Sequence, residues 1–275
     1  MNLQKLKRYY TCGAVVQFEE DMYNEFKGHR NLSVEELPPW TQENKNERAS
    51  RRAVSRSLNA FLNTGKGGTV YLGILDSGVV RGIKMTQFQM DHVVGGLDDL
   101  MQRYSPPVTK HRYRVKFVPV FPEDTTEEQR QKRCQKESVD NVDIKDRLRP
   151  HQYRSHNFCW CDKDSIAQFN CGLIATDYVV EIKIKPWDPN DVRNQDVACG
   201  SLAKVHPYHE DEEGNVYFRR QASLIKSTWP GWYFNNARTT DGDHDIFIEG
   251  LGVYNFEKPK DFFYILGSFP IQMYI

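Results

Sequence analysis

The sequence predicts an α+β fold with a mixed, mostly antiparallel sheet and flanking helices. Three observations support this. Strand–turn–strand signals recur along the chain, two segments have apolar side chains at helical spacing, and helices and hairpins alternate without an internal repeat. A chain of 275 residues is long enough for one large domain or two small ones. No low-complexity tract divides it, and we therefore treat residues 1–275 as a single domain.

The chain up to its first glycine run predicts an extended segment, a loop and a helix. Residues 9–27 are expected to be extended, with an acidic turn within them, and residues 30–46 form a polar loop. From residue 47 to residue 62, four apolar side chains share one helical face, namely Val54, Leu58, Phe61 and Leu62. The glycines of residues 63–68 end this helix, because glycine tolerates the left-handed backbone of a helix C-terminus.

A hairpin, a second helix and a further strand follow the glycines. Residues 69–75 predict a strand, Asp76-Ser-Gly78 a tight turn, and residues 79–83 the returning strand. Thr86 is expected to cap a helix that extends to about Tyr104. Residues 111–120 alternate between apolar and polar side chains and predict another strand.

The second half of the chain changes character. Residues 122–150 are nearly all polar and indicate a mobile insertion or a solvated helix rather than a domain boundary. Residues 178–185 predict a strand, and 199–208 with 215–219 predict a hairpin around Gly214. The motifs discussed below fall within residues 15–225. Residues 226–275 form a C-terminal extension, whose last apolar tract favours ordered structure.

The charge and cysteine content of the chain bear on its partners and its cellular compartment. Lys+Arg and Asp+Glu both number 37, so net charge predicts no partner, and a nucleic-acid binder must concentrate its positive charge locally. The six cysteines are spread out and no secretory signal precedes them, which predicts free thiols and a cytoplasmic location. No run of about 18 apolar residues occurs. The apolar C-terminus leaves open a membrane anchor beyond Ile275.

Three acidic residues stand out as a candidate catalytic and metal-binding set. They are Glu20, Glu25 and Asp76, and the last lies where a strand meets a glycine turn. A metal-dependent nuclease needs several carboxylates aimed at one point to hold Mg²⁺ or Mn²⁺. Glu20 and Glu25 are five residues apart, so they can converge only if the chain turns between them, for example at Asp21-Met22. On spacing alone, ordinary solvated acids are the commoner explanation.

The surrounding motifs resemble the Schlafen family and its wider relatives, the AlbA_2 domains. Four segments carry the resemblance: Glu20 to Glu25-Phe-Lys27, Ala60 to Gly68, Gly73 to Asp76, and Val216 to Ser223. The resemblance implies a single Schlafen-like lobe in which Glu20, Glu25 and Asp76 are the catalytic carboxylates and bind Mg²⁺ or Mn²⁺.

The resemblance also implies a substrate and a partner. It indicates an endoribonuclease that acts on structured RNA such as tRNA or a small-RNA precursor. Mammalian Schlafens enclose RNA between two lobes of one chain, so a single lobe is expected to associate with a second Schlafen-like chain as a homo- or hetero-oligomer.

Two non-catalytic alternatives remain open. One is a scaffold that docks a catalytic sister chain and contributes RNA contacts, and the other is a DNA-binding regulator of the AlbA_2 type. Carboxylate oxygens within about 4–5 Å of a common point would indicate a metal centre. Carboxylates that point apart, or an acid paired with arginine, would favour the scaffold.

Eight basic residues are candidates for RNA binding, because phosphate contacts need cations around an acidic centre. They are Lys27, His29, Arg30, Arg51, Arg52, Arg56, Arg219 and Arg220. Lys27 could also stabilise charge on the transferring phosphate. For the arginines, a solvated helix face is an equally good explanation.

The cysteines, histidines and glycines bear on whether the chain binds zinc or ATP. Mammalian Schlafens hold a structural zinc through a cysteine pair just after the strand matching residues 178–185, but Pro186 follows that strand here. A local substitute could use His151, His156, Cys159 and Cys161, although the Cys-x-Cys spacing is tighter than usual. The glycines at 65–68 do not form an ATP-binding loop, since the order is helix, glycines, strand. We therefore expect no ATP binding.

Overall fold

The computed structural model describes residues 9–41, 53–130, 149–171, 177–194 and 206–227, and three short strands between residues 237 and 255. The helices are α1 (Val54–Asn63), α2 (Gln87–Arg103) and α3 (Trp160–Asn170), and residues 127–130 are also helical. The strands are β1 (Tyr10–Thr11), β2 (Asn24–Lys27), β3 (Gly68–Leu72), β4 (Ile83–Lys84), β5 (Tyr113–Phe121), β6 (Asp177–Ile184), β7 (Tyr217–Arg220), β8 (Ser223–Lys226), β9 (Ala237–Thr239), β10 (Asp245–Ile248) and β11 (Gly252–Asn255).

The principal sheet has six strands, in the order β1-β5-β6-β3-β2, with β4 also paired to β6. The pairs β1–β5 and β2–β3 are parallel, whereas β6 pairs antiparallel with β3, β4 and β5. Strands β7 and β8 form a separate hairpin, and β9, β10 and β11 form a three-stranded antiparallel sheet. The predicted α+β class with a mixed, mostly antiparallel sheet is confirmed. Among the described residues, no helix combines the length and apolar character that a membrane crossing requires.

Helix α1 buries its apolar stripe as the sequence predicts. Val54, Leu58, Phe61 and Leu62 are fully buried in the main core, with side chains of β3, β6 and α2. The helix ends before Gly65, which has a left-handed φ of +72°. Gly67 is needed for a different reason, because a Cβ there would lie 2.6 Å from the carbonyl oxygen of Ile184. The glycine run thus ends the helix and lets the chain pass close to β6.

Two buried asparagines on the other face of α1 hold the segment that leads into β7. The side-chain amide of Asn63 donates to the carbonyl oxygens of His209 (2.9 Å) and Tyr217 (3.1 Å). Its oxygen accepts from the backbone N–H of His209 at 2.7 Å. Asn59 also donates to His209 and accepts from the backbone N–H of Tyr217, both at 2.8 Å. These side-chain bonds satisfy backbone groups of His209 and Tyr217, which the backbone of a helix could not do.

We expect Asn63→Ala to lower the free energy of unfolding by about 3 kcal/mol, because it leaves buried backbone groups without partners. Urea unfolding of the purified chain measures this loss. Lys66→Ala, at an exposed position in the same turn, is the control and should stay within about 0.5 kcal/mol of the unchanged chain. Equal stability of the two variants would contradict the role given to Asn63.

Several local predictions are confirmed and others are wrong. Thr86 caps α2 with a capping box that includes Gln89. The described residues do not form the predicted hairpin around Gly214: β7 pairs with β8 instead, and residues 206–208 form no strand. Residues 199–205 of that prediction lie outside the described residues. Helix α3 was not predicted. Most of the predicted insertion and the apolar tract at 262–275 lie outside the described residues.

Candidate functional site

The candidate acidic site lies where β2 and β3 end. The two strands are parallel, with Lys27 opposite Leu72, so their C-terminal ends meet at one edge of the sheet. The backbone N–H of Gly73 donates to the carbonyl oxygen of Lys27 at 2.7 Å and extends this pairing. Asp76 follows in the predicted tight turn, which a hydrogen bond from Gly78 N–H to the Leu75 carbonyl closes at 2.8 Å. The side chain of Asp76 is exposed.

A turn before β2 brings Glu20 to the same region. The carboxylate of Asp21 accepts from the backbone N–H groups of Tyr23 (2.7 Å) and Asn24 (2.8 Å) and reverses the chain. Glu20 then reaches back to accept a 2.8 Å hydrogen bond from the backbone N–H of Phe26. The chain therefore turns between Glu20 and Glu25 at the place the spacing required.

The pKa of Glu20 shows that the three acids influence one another. Burial raises the pKa of this carboxyl group, and the charges of Glu25 and Asp76 raise it further. The hydrogen bond from Phe26 and the charge of Lys27 act in the opposite direction. The charges of Glu25 and Asp76, from two distant segments, thus both act on Glu20, and Lys27 partly offsets them.

Glu25 is the buried member of the set and is held by three donors. Its residue is 5% exposed, and Ser57 donates to one carboxylate oxygen at 3.2 Å. Lys27 forms an ion pair with the same oxygen, and Arg219 with the other. The Arg219 guanidinium also donates to the carbonyl oxygens of Asp21 (2.6 Å) and Asn24 (2.9 Å). Arg219 therefore fixes both the carboxylate and the turn that carries Glu20.

The fit of a divalent cation to this site is partial. Carboxylate oxygens are the donors that Mg²⁺ and Mn²⁺ prefer. Within the described residues, however, the one group of three or more His, Cys, Asp or Glu side chains that is placed to share a metal ion lies elsewhere. A cation that bound all three acids would have to displace Lys27 from Glu25.

The basic residues nearest the acids have different environments. Arg219, predicted to bind RNA, has no exposed side-chain surface, and we reassign it to holding Glu25 in place. Lys27 is 15% exposed at its side chain and pairs with Glu25. Arg220, the last residue of β7, is exposed, whereas the three residues before it are buried. It is available to a phosphate where Arg219 is not.

The other candidate RNA-binding residues are spread over neighbouring elements. Arg30 pairs with Asp162 of α3, and His29 accepts from the backbone N–H of Asn31 at 3.2 Å. Arg56 forms a 3.2 Å ion pair with Glu213. Arg51 and Arg52 lie outside the described residues. The two described arginines in this group are therefore already paired with acids.

Glu36, beside Arg30, gives a pH-dependent prediction. Burial raises the pKa of this carboxyl group from 4.5 to about 7, although the N–H of Leu32 and the charge of Arg30 lower it. Since the folded chain favours the neutral form, stability should fall as pH rises from 4.5 to 7, by roughly 2–3 kcal/mol. Glu36→Gln should remove this dependence, and urea unfolding of both chains at pH 5 and pH 8 tests it. If the two chains differed in free energy of unfolding by the same amount at pH 5 and at pH 8, the raised pKa of Glu36 would be contradicted.

A second cluster, of two histidines and two cysteines, lies between α2 and the start of α3. Sγ of Cys159 is 3.6 Å from Nδ1 of His151, and Sγ of Cys161 is 3.6 Å from Nδ1 of His92. The four ligand atoms all lie within 4.8 Å of one another. His156 was the predicted fourth member, but it is exposed and outside the cluster. His92 of α2 takes its place.

Three of the four residues of the cluster are buried, and burial shifts the pKa values of its ionisable groups. Cys159 and Cys161 are 2% and 0% exposed. Burial is the main cause that raises the pKa of the Cys161 thiol and lowers the pKa of His92 to about 4. In both groups, burial favours the neutral form.

No protein-family model matches this sequence.

Proposed function

We propose that this chain is a metal-dependent endoribonuclease that cleaves structured RNA, such as tRNA or a small-RNA precursor, together with a second Schlafen-like chain. One observation carries the proposal. Glu20 accepts from the backbone N–H of Phe26 in β2, Glu25 belongs to β2, and the turn bearing Asp76 follows β3, so all three acids lie near the ends of two parallel strands. Burial raises the pKa of Glu20, and the charges of Glu25 and Asp76 act in the same direction.

The residues around the acids have separate tasks in this proposal. Arg219 holds Glu25 in position, because its guanidinium is buried against that carboxylate and the preceding turn. Lys27 leaves its ion pair with Glu25, pairs with a phosphate oxygen of the RNA and stabilises the charge that develops there. Arg220 offers an exposed cation for RNA. A bound Mg²⁺ or Mn²⁺ would polarise the phosphate and lower the pKa of a water molecule.

The test is cleavage of end-labelled tRNA and small-RNA precursors by the purified chain with Mn²⁺ or Mg²⁺. We expect defined fragments that EDTA abolishes and that Glu20→Gln reduces strongly. Glu19→Gln is the matched control, since Glu19 is adjacent but exposed, and it should cleave like the unchanged chain. Equal cleavage by the Glu20→Gln variant would contradict the proposal.

A non-catalytic scaffold is the second candidate, and one observation favours it. Glu25 is paired with Arg219 and Lys27, which is the arrangement expected when an acid serves structure rather than metal binding. In that case the chain should bind RNA without cutting it, with or without Mn²⁺. Cleavage would appear only when a catalytic sister chain is added, and Glu20→Gln in this chain would leave it unchanged.

A further inference from the structure

The histidine–cysteine cluster lies apart from the acidic site and is not used by the proposed nuclease. Its cysteines belong to the long connection between β5 and β6, and His92 belongs to α2. The zinc-binding cysteine pair of the Schlafen family would follow β6, where this chain has Lys185-Pro186. The cluster is therefore at a different place in the chain from that pair.

Two distances within the cluster match those between neighbouring ligands of a tetrahedral zinc ion. Zinc binds cysteine sulfur at about 2.3 Å and histidine nitrogen at about 2.0–2.1 Å. In a tetrahedron, those lengths place sulfur and nitrogen about 3.6 Å apart. The two cysteine–histidine distances, Cys159 to His151 and Cys161 to His92, are both 3.6 Å. These two pairs thus have the separation that a shared zinc ion requires, and all four ligand atoms lie within 4.8 Å of one another.

The surroundings of the cluster indicate a closed site. All four ligands come from the protein, which leaves no open position for a substrate. The indole ring of Trp160 stacks on His151 with ring centroids 5.0 Å apart, and Phe88 packs against Trp160. The backbone N–H of Gln152 lies 3.4 Å from Sγ of Cys159 and donates to it. Such a bond orients a sulfur ligand and favours its thiolate form.

We propose that His92, His151, Cys159 and Cys161 bind one structural Zn²⁺ ion. Two cysteine and two histidine ligands, of which His92, Cys159 and Cys161 are buried, select zinc over Mg²⁺ or Ca²⁺, which require oxygen ligands. The ion joins residues 149–171 to α2, because its ligands come from both segments. Asp162, directly after Cys161, pairs with Arg30 and accepts from Gln89 at 2.7 Å. Zinc thereby also fixes the position of Arg30, close to the end of β2.

The metal content of the purified full chain tests the proposal. We expect about one zinc per chain by mass spectrometry, and loss of that zinc in Cys161→Ser and His92→Gln. His156→Gln and Cys171→Ser are matched controls at exposed positions outside the cluster, and both should retain the ion. His92→Cys should also retain zinc, because it supplies another ligand.

A second measurement remains decisive if the loss variants do not fold. Co²⁺ exchanged into the unchanged chain should give the visible absorption of tetrahedral thiolate coordination, and His92→Cys should intensify the sulfur-to-cobalt band. Zinc-free chain that gives no such spectrum would overturn the proposal. Zinc retained in folded Cys161→Ser, or lost in His156→Gln, would overturn it as well.

Discussion

Arg219→Met is expected to lower the free energy of unfolding by about 3–5 kcal/mol, because it leaves the buried carboxylate of Glu25 without its main partner. The guanidinium has no exposed surface and also serves the carbonyl oxygens of Asp21 and Asn24. Methionine preserves most of the side-chain volume, so the loss reports charge and hydrogen bonding rather than a cavity. Urea unfolding at neutral pH measures it.

Two variants define the control for this prediction. Arg220→Met, at the exposed neighbouring position, should change stability by no more than about 0.5 kcal/mol. The double change Glu25→Met with Arg219→Met should recover part of the loss, because removing both charges leaves neither one buried and unpaired. If Arg219→Met were as stable as Arg220→Met, the pairing would not hold the site together.

The same pairing changes how catalysis should be tested. On the sequence alone, Glu25→Ala is expected to abolish cleavage and leave the fold intact. The structure shows that Glu25 neutralises a buried arginine, so its loss would also destabilise the fold. An inactive Glu25 variant therefore does not separate chemistry from folding. Asp76, which is exposed, is the better position.

Asp76→Asn is expected to reduce RNA cleavage by at least about 100-fold and to leave stability unchanged. The substitution keeps the size of the side chain and removes one negative charge from the proposed metal site. Because Asp76 is exposed in a turn, we expect the substitution to remove few contacts that stabilise the fold. Single-turnover cleavage of end-labelled RNA, with thermal unfolding of the same sample, measures both quantities.

Asp124→Asn, an exposed acid in another turn, is the matched control and should cleave normally. Cleavage by Asp76→Asn at the control rate would remove Asp76 from the site. RNA binding, measured separately with EDTA present, should be similar in both variants because the acid faces the proposed metal rather than the phosphates.

Local signals account for what the sequence predicted correctly. The apolar stripe of α1, the left-handed glycine after it and the turn at Asp76 are encoded within a few residues each. The odd spacing of Glu20 and Glu25 required a turn between them, and Asp21 forms it. These features could be derived without knowing what packs against them.

Contacts between distant segments could not be derived in this way. Arg219 is 194 residues from Glu25, and nothing local to either residue indicates the pair. His92 was missed because a histidine on the inner face of a helix looks like an ordinary core residue until the cysteines pack against it. The β7–β8 hairpin was missed because Gln221, rather than glycine, takes the left-handed φ of +53°.

The most direct measurement of the central claim is anomalous diffraction from crystals of the full chain grown with Mn²⁺. If the proposed metal centre exists, we expect a manganese peak bounded by the carboxylates of Glu20, Glu25 and Asp76, with the amine of Lys27 moved away from Glu25. A site without manganese, in which Lys27 and Arg219 still hold Glu25, would contradict the metal centre and leave the scaffold as the function of this chain.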